Sequence, residues 1–280
     1  MNNSCFSQKS VLIYGGGKGI GRGIATEFAK RGASVAIADI DIEAAGEAVI
    51  DIGIAGGKAL ALACDVTSSD SVRETAEVAE GAFGEIDIVV NNVGVILSGN
   101  PEDIPFEEWQ RIIDLNLNPV LRSNDVFLKK MLARGSGYIV NTASIAGLFP
   151  YAANRLPYVA TKAAVIALSE SLALYTIPQG VRVSCFCPGP TITNVMDGMK
   201  TWSDNVAMRG PGAEFSLMTP EQSAVVLADG MEQGKVLIPA HETAWDKLRE
   251  HAASPNQFIE NKIKAYEAGD LGLPNIRAPL

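Results

Sequence analysis

Tyr158 and Lys162 stand four residues apart in the run Tyr158-Val-Ala-Thr-Lys162, a spacing that puts both on one face of a helix. A phenol beside an ammonium suggests proton transfer. A free phenol ionises near pH ~10, so service as a base near neutrality needs about 4 kcal/mol of help. One ammonium at ~4 Å and an effective dielectric of 20 supplies about that much. Taken alone, such a pair is usually an ordinary surface contact, so its meaning depends on what the rest of the chain brings to it.

A second constellation is the glycine turn Gly15-Gly16-Gly17-Lys18-Gly19-Ile20-Gly21. Glycines let the backbone approach a pyrophosphate, and a helix N-terminus presents unpaired N–H groups with partial positive charge. The turn lies between a strand-like run and a helical pattern, the context that separates a dinucleotide cradle from a merely flexible turn. It is not a P-loop, because no Lys-Ser or Lys-Thr follows the last glycine. Asp39 comes eighteen residues after Gly21. A carboxylate there can accept both adenosine ribose hydroxyls and repels a 2′-phosphate, although it could also cap the next turn. Lys18 pulls the other way, since a cation in the turn attracts that phosphate. Two like unit charges at ~4 Å cost about 4 kcal/mol at an effective dielectric of 20, and Asp39 would sit on the ribose itself. NAD is therefore expected over NADP.

Strand-like runs at Val11–Tyr14, Ser34–Asp39, Ala59–Ala63, Ile86–Val90, Gly137–Asn141, Val181–Phe186 and Val236–Ile238 must position these groups. Helical patterns at Gly19–Arg31, Glu43–Ile54, Ser69–Ala82, Phe106–Ala133 and Tyr158–Thr176 fall between them. Such alternation predicts an α/β fold, a single Rossmann-like doubly wound parallel sheet with helices on both faces and ligands at the carboxyl ends of its strands. One domain is expected over 1–280, with a cofactor half at 10–142 and a catalytic and substrate part at 143–240. A loop or lid is read at 194–220, and a helical tail of surface packing at 241–280, with helices at Ala244–Ala252 and Gln257–Ala268.

The 280 residues are 47% hydrophobic and 20% charged, enough for one well-buried core. A net charge of −9 opposes nucleic-acid binding, which needs a basic face, and no such partner is expected. Residues 1–10 lack the pattern of a signal peptide, and no apolar run reaches the ~18 residues of a membrane span. A cytoplasmic protein without a membrane partner is expected. Cys185 and Cys187, two apart on one strand, point the same way and do not suit a disulfide. No metal site is expected. His241 and His251 read as surface residues, while Trp202, in the lid, is a candidate wall of a substrate pocket.

From about residue 10 to 193 the chain resembles the short-chain dehydrogenase/reductase superfamily. Gly15, Gly19 and Gly21 align with its glycine turn, Tyr14 replacing the usual threonine. Asp65-Val66 resembles the adenine contact after the third strand, and Asn91-Asn92-Val93-Gly94 the NNAG motif after the fourth. Asn116 matches the helix asparagine, Ser144 follows the fifth strand, Tyr158 and Lys162 form YxxxK, and Pro188-Gly189 with Thr193 resembles the segment that meets the nicotinamide. The resemblance implies catalysis by Asn116, Ser144, Tyr158 and Lys162. Ser144 would bond the substrate oxygen, Lys162 would also hold the nicotinamide ribose, and Asn116 would relay protons through its backbone and a water. It implies cofactor contacts from Gly15, Gly17, Lys18, Gly19, Ile20, Gly21, Asp39, Ile40, Asp65, Val66, Asn92, Val93 and Gly94. Tyr158, Lys162, Pro188, Gly189, Thr191 and Thr193 complete that set. Asn91 reads as a brace between strands. After Thr193 the family pattern fades.

The expected function is an oxidoreductase interconverting a secondary alcohol and its ketone. The lid residues Val195, Met196, Met199, Trp202, Val206, Met208, Phe215, Leu217 and Met218 suggest a small hydrophobic substrate. The alternatives are a non-catalytic dinucleotide-sensing protein of the same fold and a nucleotide-sugar epimerase or dehydratase. The epimerase reading asks for more C-terminal chain than about 87 residues. Relatives imply a homo-oligomer, a dimer or homotetramer, joined through the two long helices at Phe106–Ala133 and Tyr158–Thr176.

Overall fold

The computed structural model describes residues 4–193, 197, 199–204 and 206–275. Strands β1 (Ser10–Tyr14), β2 (Ser34–Asp39) and β3 (Lys58–Ala63) alternate with helices α1 (Gly19–Lys30), α2 (Ile42–Ile54) and α3 (Ser69–Phe83). Then come β4 (Ile88–Asn91), the short β5 (Leu97–Ser98), α4 (Phe106–Asn116), α5 (Asn118–Arg134), β6 (Gly137–Thr142), α6 (Leu156–Thr176) and β7 (Val181–Cys187). The chain closes with β8 (Lys200–Thr201), α7 (Pro220–Glu232), β9 (Leu237–Pro239), α8 (Thr243–Ala253) and α9 (Pro255–Glu267).

The expected doubly wound sheet is present. Seven parallel strands run in the order β3-β2-β1-β4-β6-β7-β9, so the order reverses between β1 and β4. Alternate residues of each strand bury into opposite layers. Val11 and Ile13 meet Ile24 and Phe28 of α1 and Leu227 and Met231 of α7, whereas Leu12 and Tyr14 meet Val72 of α3 and Phe127 of α5. Cys185 and Cys187 share one face in a third cluster with Phe149, Phe215 and Phe258, both buried and free.

Four elements depart from the sequence reading. The single helix expected at Phe106–Ala133 is two, α4 and α5, broken at Leu117. Pro119 is the cause: it lacks an N–H, and its ring clashes with the carbonyl four residues back. Helix α7 occupies a stretch left unassigned, although Thr219 and Gln222 form a reciprocal cap with Pro220 in the first turn. The segment Leu156–Gln179 is, against expectation, long and apolar enough to cross a membrane by length and composition. Its buried side, including Lys162, Val165 and Ser169, packs inside the protein. The tail is not only surface packing. Gly210 and Gly212 donate backbone hydrogen bonds to Leu271 and Gly272, and Asn275 donates to Phe215. These bonds strap residues 271–275 across the segment before α7.

Candidate active site

The sheet order opens a crevice beyond the carboxyl ends of β1 and β4, the place where ligands bind in open parallel sheets. A cavity of about 610 Å³ lies there. Gly15, Lys18, Gly19 and Ile20 line it from the turn after β1, and Asp39 and Ile40 from the end of β2. Asp65 and Val66 line it after β3, and Asn92, Val93 and Gly94 after β4. Ser144, Tyr158 and Lys162 enter from β6 and α6, and Pro188, Gly189, Thr191 and Thr193 follow β7. Gly17, Gly21 and Asn116 do not line it; they shape it from behind.

The turn needs its glycines. Gly15 sits at φ +79°, where only glycine is unstrained, and a Cβ at Gly21 would fall 1.9 Å from the Gly15 carbonyl oxygen. Tyr14, standing where a threonine is usual, does not brace this turn: its hydroxyl donates to the Val72 carbonyl at 3.1 Å inside the α3 layer. The brace comes from Asn92, whose Nδ2 donates to the Gly15 carbonyl at 2.8 Å, and from Gly15 N–H, which donates to the Ala38 carbonyl at 2.7 Å. A narrow, glycine-walled crevice of this kind fits a dinucleotide.

Asp39 is fixed by two backbone donors, Gly17 N–H at 2.9 Å and Asp41 N–H at 3.0 Å. It thus caps the following turn and faces the cavity at once. Lys18 is not free for a phosphate: its Nζ lies 2.6 Å from Asp41, which holds that carboxyl below the usual carboxylate range. Asp65 accepts from the N–H and hydroxyl of Thr67. Asn91 Nδ2 donates to Asn141 Oδ1 at 2.9 Å, bracing β4 against β6.

Lys162 is almost wholly buried, and its Nζ donates to the Thr142 carbonyl at 2.8 Å. Burial pushes its ammonium down to about 8. The ammonium lies 5.9 Å from the centre of the Tyr158 ring. The Tyr158 phenol is pushed up by burial and drawn back by the Ser144 hydroxyl and by the positive charge of Arg155. Arg155, one turn before Tyr158, went unnoticed in the sequence, although its i−3 position marks it as a neighbour. Ser144 Oγ accepts from Ala146 N–H at 3.1 Å, which leaves the hydroxyl proton to donate elsewhere.

The Asn116 side chain is a brace between two segments. Oδ1 accepts from Val95 N–H at 2.8 Å, while Nδ2 donates to the Val95 carbonyl at 3.0 Å and to Thr161 Oγ1 at 3.3 Å. It ties the segment after β4 to α6, beside Lys162.

The far wall differs from expectation. Of the described lid residues, Met208 and Leu217 line the cavity. Trp202 does not; it packs with Leu97, Ile104 and Ile112. Phe215 is fully buried in the third cluster, and Val195 and Met196 lie outside the described residues. Val95, Ile96, Leu115 and Tyr151 supply other wall surface, with Leu273 and Pro274 from the tail. His241 is not on the surface. Its Nε2 shares a 2.8 Å hydrogen bond with the Ser216 carbonyl, its ring packs against Phe215, and burial lowers its pKa. His251 is partly exposed, edge-on to Phe258. Among the described residues no cluster of metal-ligating side chains forms.

A family profile described as short chain dehydrogenase matches residues 9–204. Cyclohexanol dehydrogenase from Acinetobacter sp. (strain SE19) is 39% identical over 185 residues, covering 66% of this chain and 73% of that one. The structure of a 3-ketoacyl-(acyl-carrier-protein) reductase from Brucella melitensis complexed with NADH superposes with a TM-score of 0.72 at 30% identity, covering 84% of this chain and 97% of that one. A short chain dehydrogenase/reductase from Burkholderia phymatum in complex with NAD shares the fold over 98% of both chains, with a TM-score of 0.78 at 24% identity. With the glycine turn, the Asn91–Gly94 segment, Ser144, Tyr158 and Lys162 gathered around one crevice, the chain belongs to the short-chain dehydrogenase/reductase family of oxidoreductases.

Proposed function

We propose that the protein interconverts a hydrophobic secondary alcohol and its ketone, with Tyr158 as the proton-transfer residue and NAD as the preferred cofactor. The observation that carries this reading is the convergence of Ser144, Tyr158 and Lys162 on the same 610 Å³ cavity as the glycine turn and Asp39. Bound nicotinamide supplies the hydride acceptor for oxidation and, reduced, the donor for ketone reduction. The chain's residues supply position and one proton. The Ser144 hydroxyl holds the substrate oxygen, and the Tyr158 phenolate takes the alcohol proton during oxidation, returning it during reduction. Lys162 keeps a positive charge beside that phenolate and would hold the nicotinamide ribose. Asn116 holds the Val95 segment and α6 in register and, through its backbone and a water, passes protons towards Lys162.

Two features support NAD. Asp39 is braced by Gly17 and Asp41 at the crevice, where it would accept the adenosine ribose hydroxyls, and Lys18 is already engaged by Asp41. The apolar wall of Val95, Ile96, Leu115, Met208 and Leu217 supports a hydrophobic substrate. So does the resemblance to a protein named for cyclohexanol. The test is a panel of hydrophobic secondary alcohols run with NAD and NADP in parallel. Oxidation with NAD preferred is expected. Tight NAD binding without turnover of any alcohol or ketone would instead favour a sensing role.

A further inference from the structure

We infer that Arg155 and Arg209 bind a carboxylate on the substrate, which would make that substrate an amphipathic hydroxy or oxo acid rather than a purely apolar alcohol. This rests on the alcohol–ketone reading of the same cavity. Both arginines line the cavity, Arg155 one turn before Tyr158. Arg155 Nη2 donates to the Arg209 carbonyl, but its Nε is buried with no hydrogen-bond partner among the described residues. The Arg209 guanidinium is stacked 3.7 Å from the centre of the Tyr266 ring, and the Tyr266 hydroxyl is anchored on the Tyr151 carbonyl. Both cations are thus held in place by other groups.

Neither meets a carboxylate among the described residues, whereas Arg22, Arg31, Arg111, Arg122 and Arg249 each do. Scarcity of acids is not the reason, since the chain has 32 Asp and Glu against 23 Lys and Arg. The cofactor does not account for them by position. Asp39, which ends β2, and Asp65, which follows β3, would meet the ribose and adenine on one side of the strand-order reversal, while Arg155 and Arg209 belong to segments after β6 and β7 on the other. A guanidinium held in a cleft of low polarity without a counter-charge is incomplete until an anion arrives, and its planar fork matches a carboxylate. The apolar residues that line the same cavity, Val95, Ile96, Leu115, Met208 and Leu217, would take the body of the molecule.

The test uses methyl ketones carrying a terminal carboxylate four to eight carbons from the carbonyl, each beside its methyl ester, titrated against the full-length enzyme–NADH complex. For at least one chain length the acid should bind about tenfold to a hundredfold more tightly than its ester, the range for a charge-assisted contact. Arg155→Gln and Arg209→Gln should each bring that ratio towards one, with kcat/KM ratios following. Esters binding as tightly as acids at every length would overturn the inference. So would an Arg155→Gln variant that weakens NADH itself and leaves the acid-to-ester ratio intact. The ratio is read from binding, so failure of every ketone to turn over would count against the alcohol–ketone reading and not against the carboxylate contact.

Discussion

At the scale of single residues, the site balances burial against charge. Lys162 is buried with one neutral hydrogen-bond partner, and its ammonium is pushed down to about 8 from 10.5. Between those values the unfolded chain binds the proton that the folded chain has released. Stability of the unliganded protein should therefore rise with pH across about 8 to 10.5, by an amount on the order of 3 kcal/mol from this residue. Lys162→Met removes the titrating group, so that rise should be lost while turnover collapses; denaturant melts at pH 7, 9 and 10.5 check it. Tyr158 is raised by burial, and alcohol oxidation needs its ionised form. Oxidation kcat/KM should climb with pH on the alkaline side, while ketone reduction, which needs the protonated phenol, should fall. Asp39 sets nucleotide choice in this account. Asp39→Ala should shift the NAD-to-NADP ratio of kcat/KM towards NADP by about tenfold or more, because a repulsion worth a few kcal/mol is removed.

At the scale of elements, turns and helix ends carry the geometry. An added Cβ at Gly21 meets the Gly15 carbonyl, so Gly21→Ala must open the turn. The expected result is loss of dinucleotide binding by titration and a lower melting temperature. Asn116→Ala removes three hydrogen bonds around Val95 and Thr161 and should cost about 1–3 kcal/mol in denaturant unfolding, with kcat reduced as Lys162 loses its register. These elements were unevenly legible in the sequence. Strands buried on both faces and the glycine turn stand out because period and spacing are local signals. The break at Pro119 and the cap at Thr219 were equally local but lay inside patterns read as one helix and one loop. The roles of Tyr14, Asn92 and Asn116 were not local at all. Each depends on a partner 21 or more positions away, and no spacing rule reaches that far.

At the scale of the whole molecule, the segment before α7 and the tail together bring Met208, Leu217, Leu273 and Pro274 to the cavity wall. The packing partners of Trp202 and Phe215 could not be read from the sequence, because they come from β5, α4, the segment after β6 and α9, distant along the chain. His241 misled for the same reason: its cover is Phe215 and the Ser216 carbonyl. Removing residues 271–280 takes away Leu273 and Pro274. It should raise KM for bulky alcohols severalfold more than for small ones, as read from a size series. Exposed Phe106, Leu121 and Leu174 on α4, α5 and α6 fit a homo-oligomer, and sizing chromatography should give a dimer or tetramer rather than a monomer. The sheet, the cradle and the wall meet at one phenol. Turnover of the best alcohol from the panel by Tyr158→Phe, with NADH affinity measured on the same preparation, should fall by several orders of magnitude while cofactor binding stays within a few fold of the wild type. A variant that turns over at a near-normal rate would contradict it.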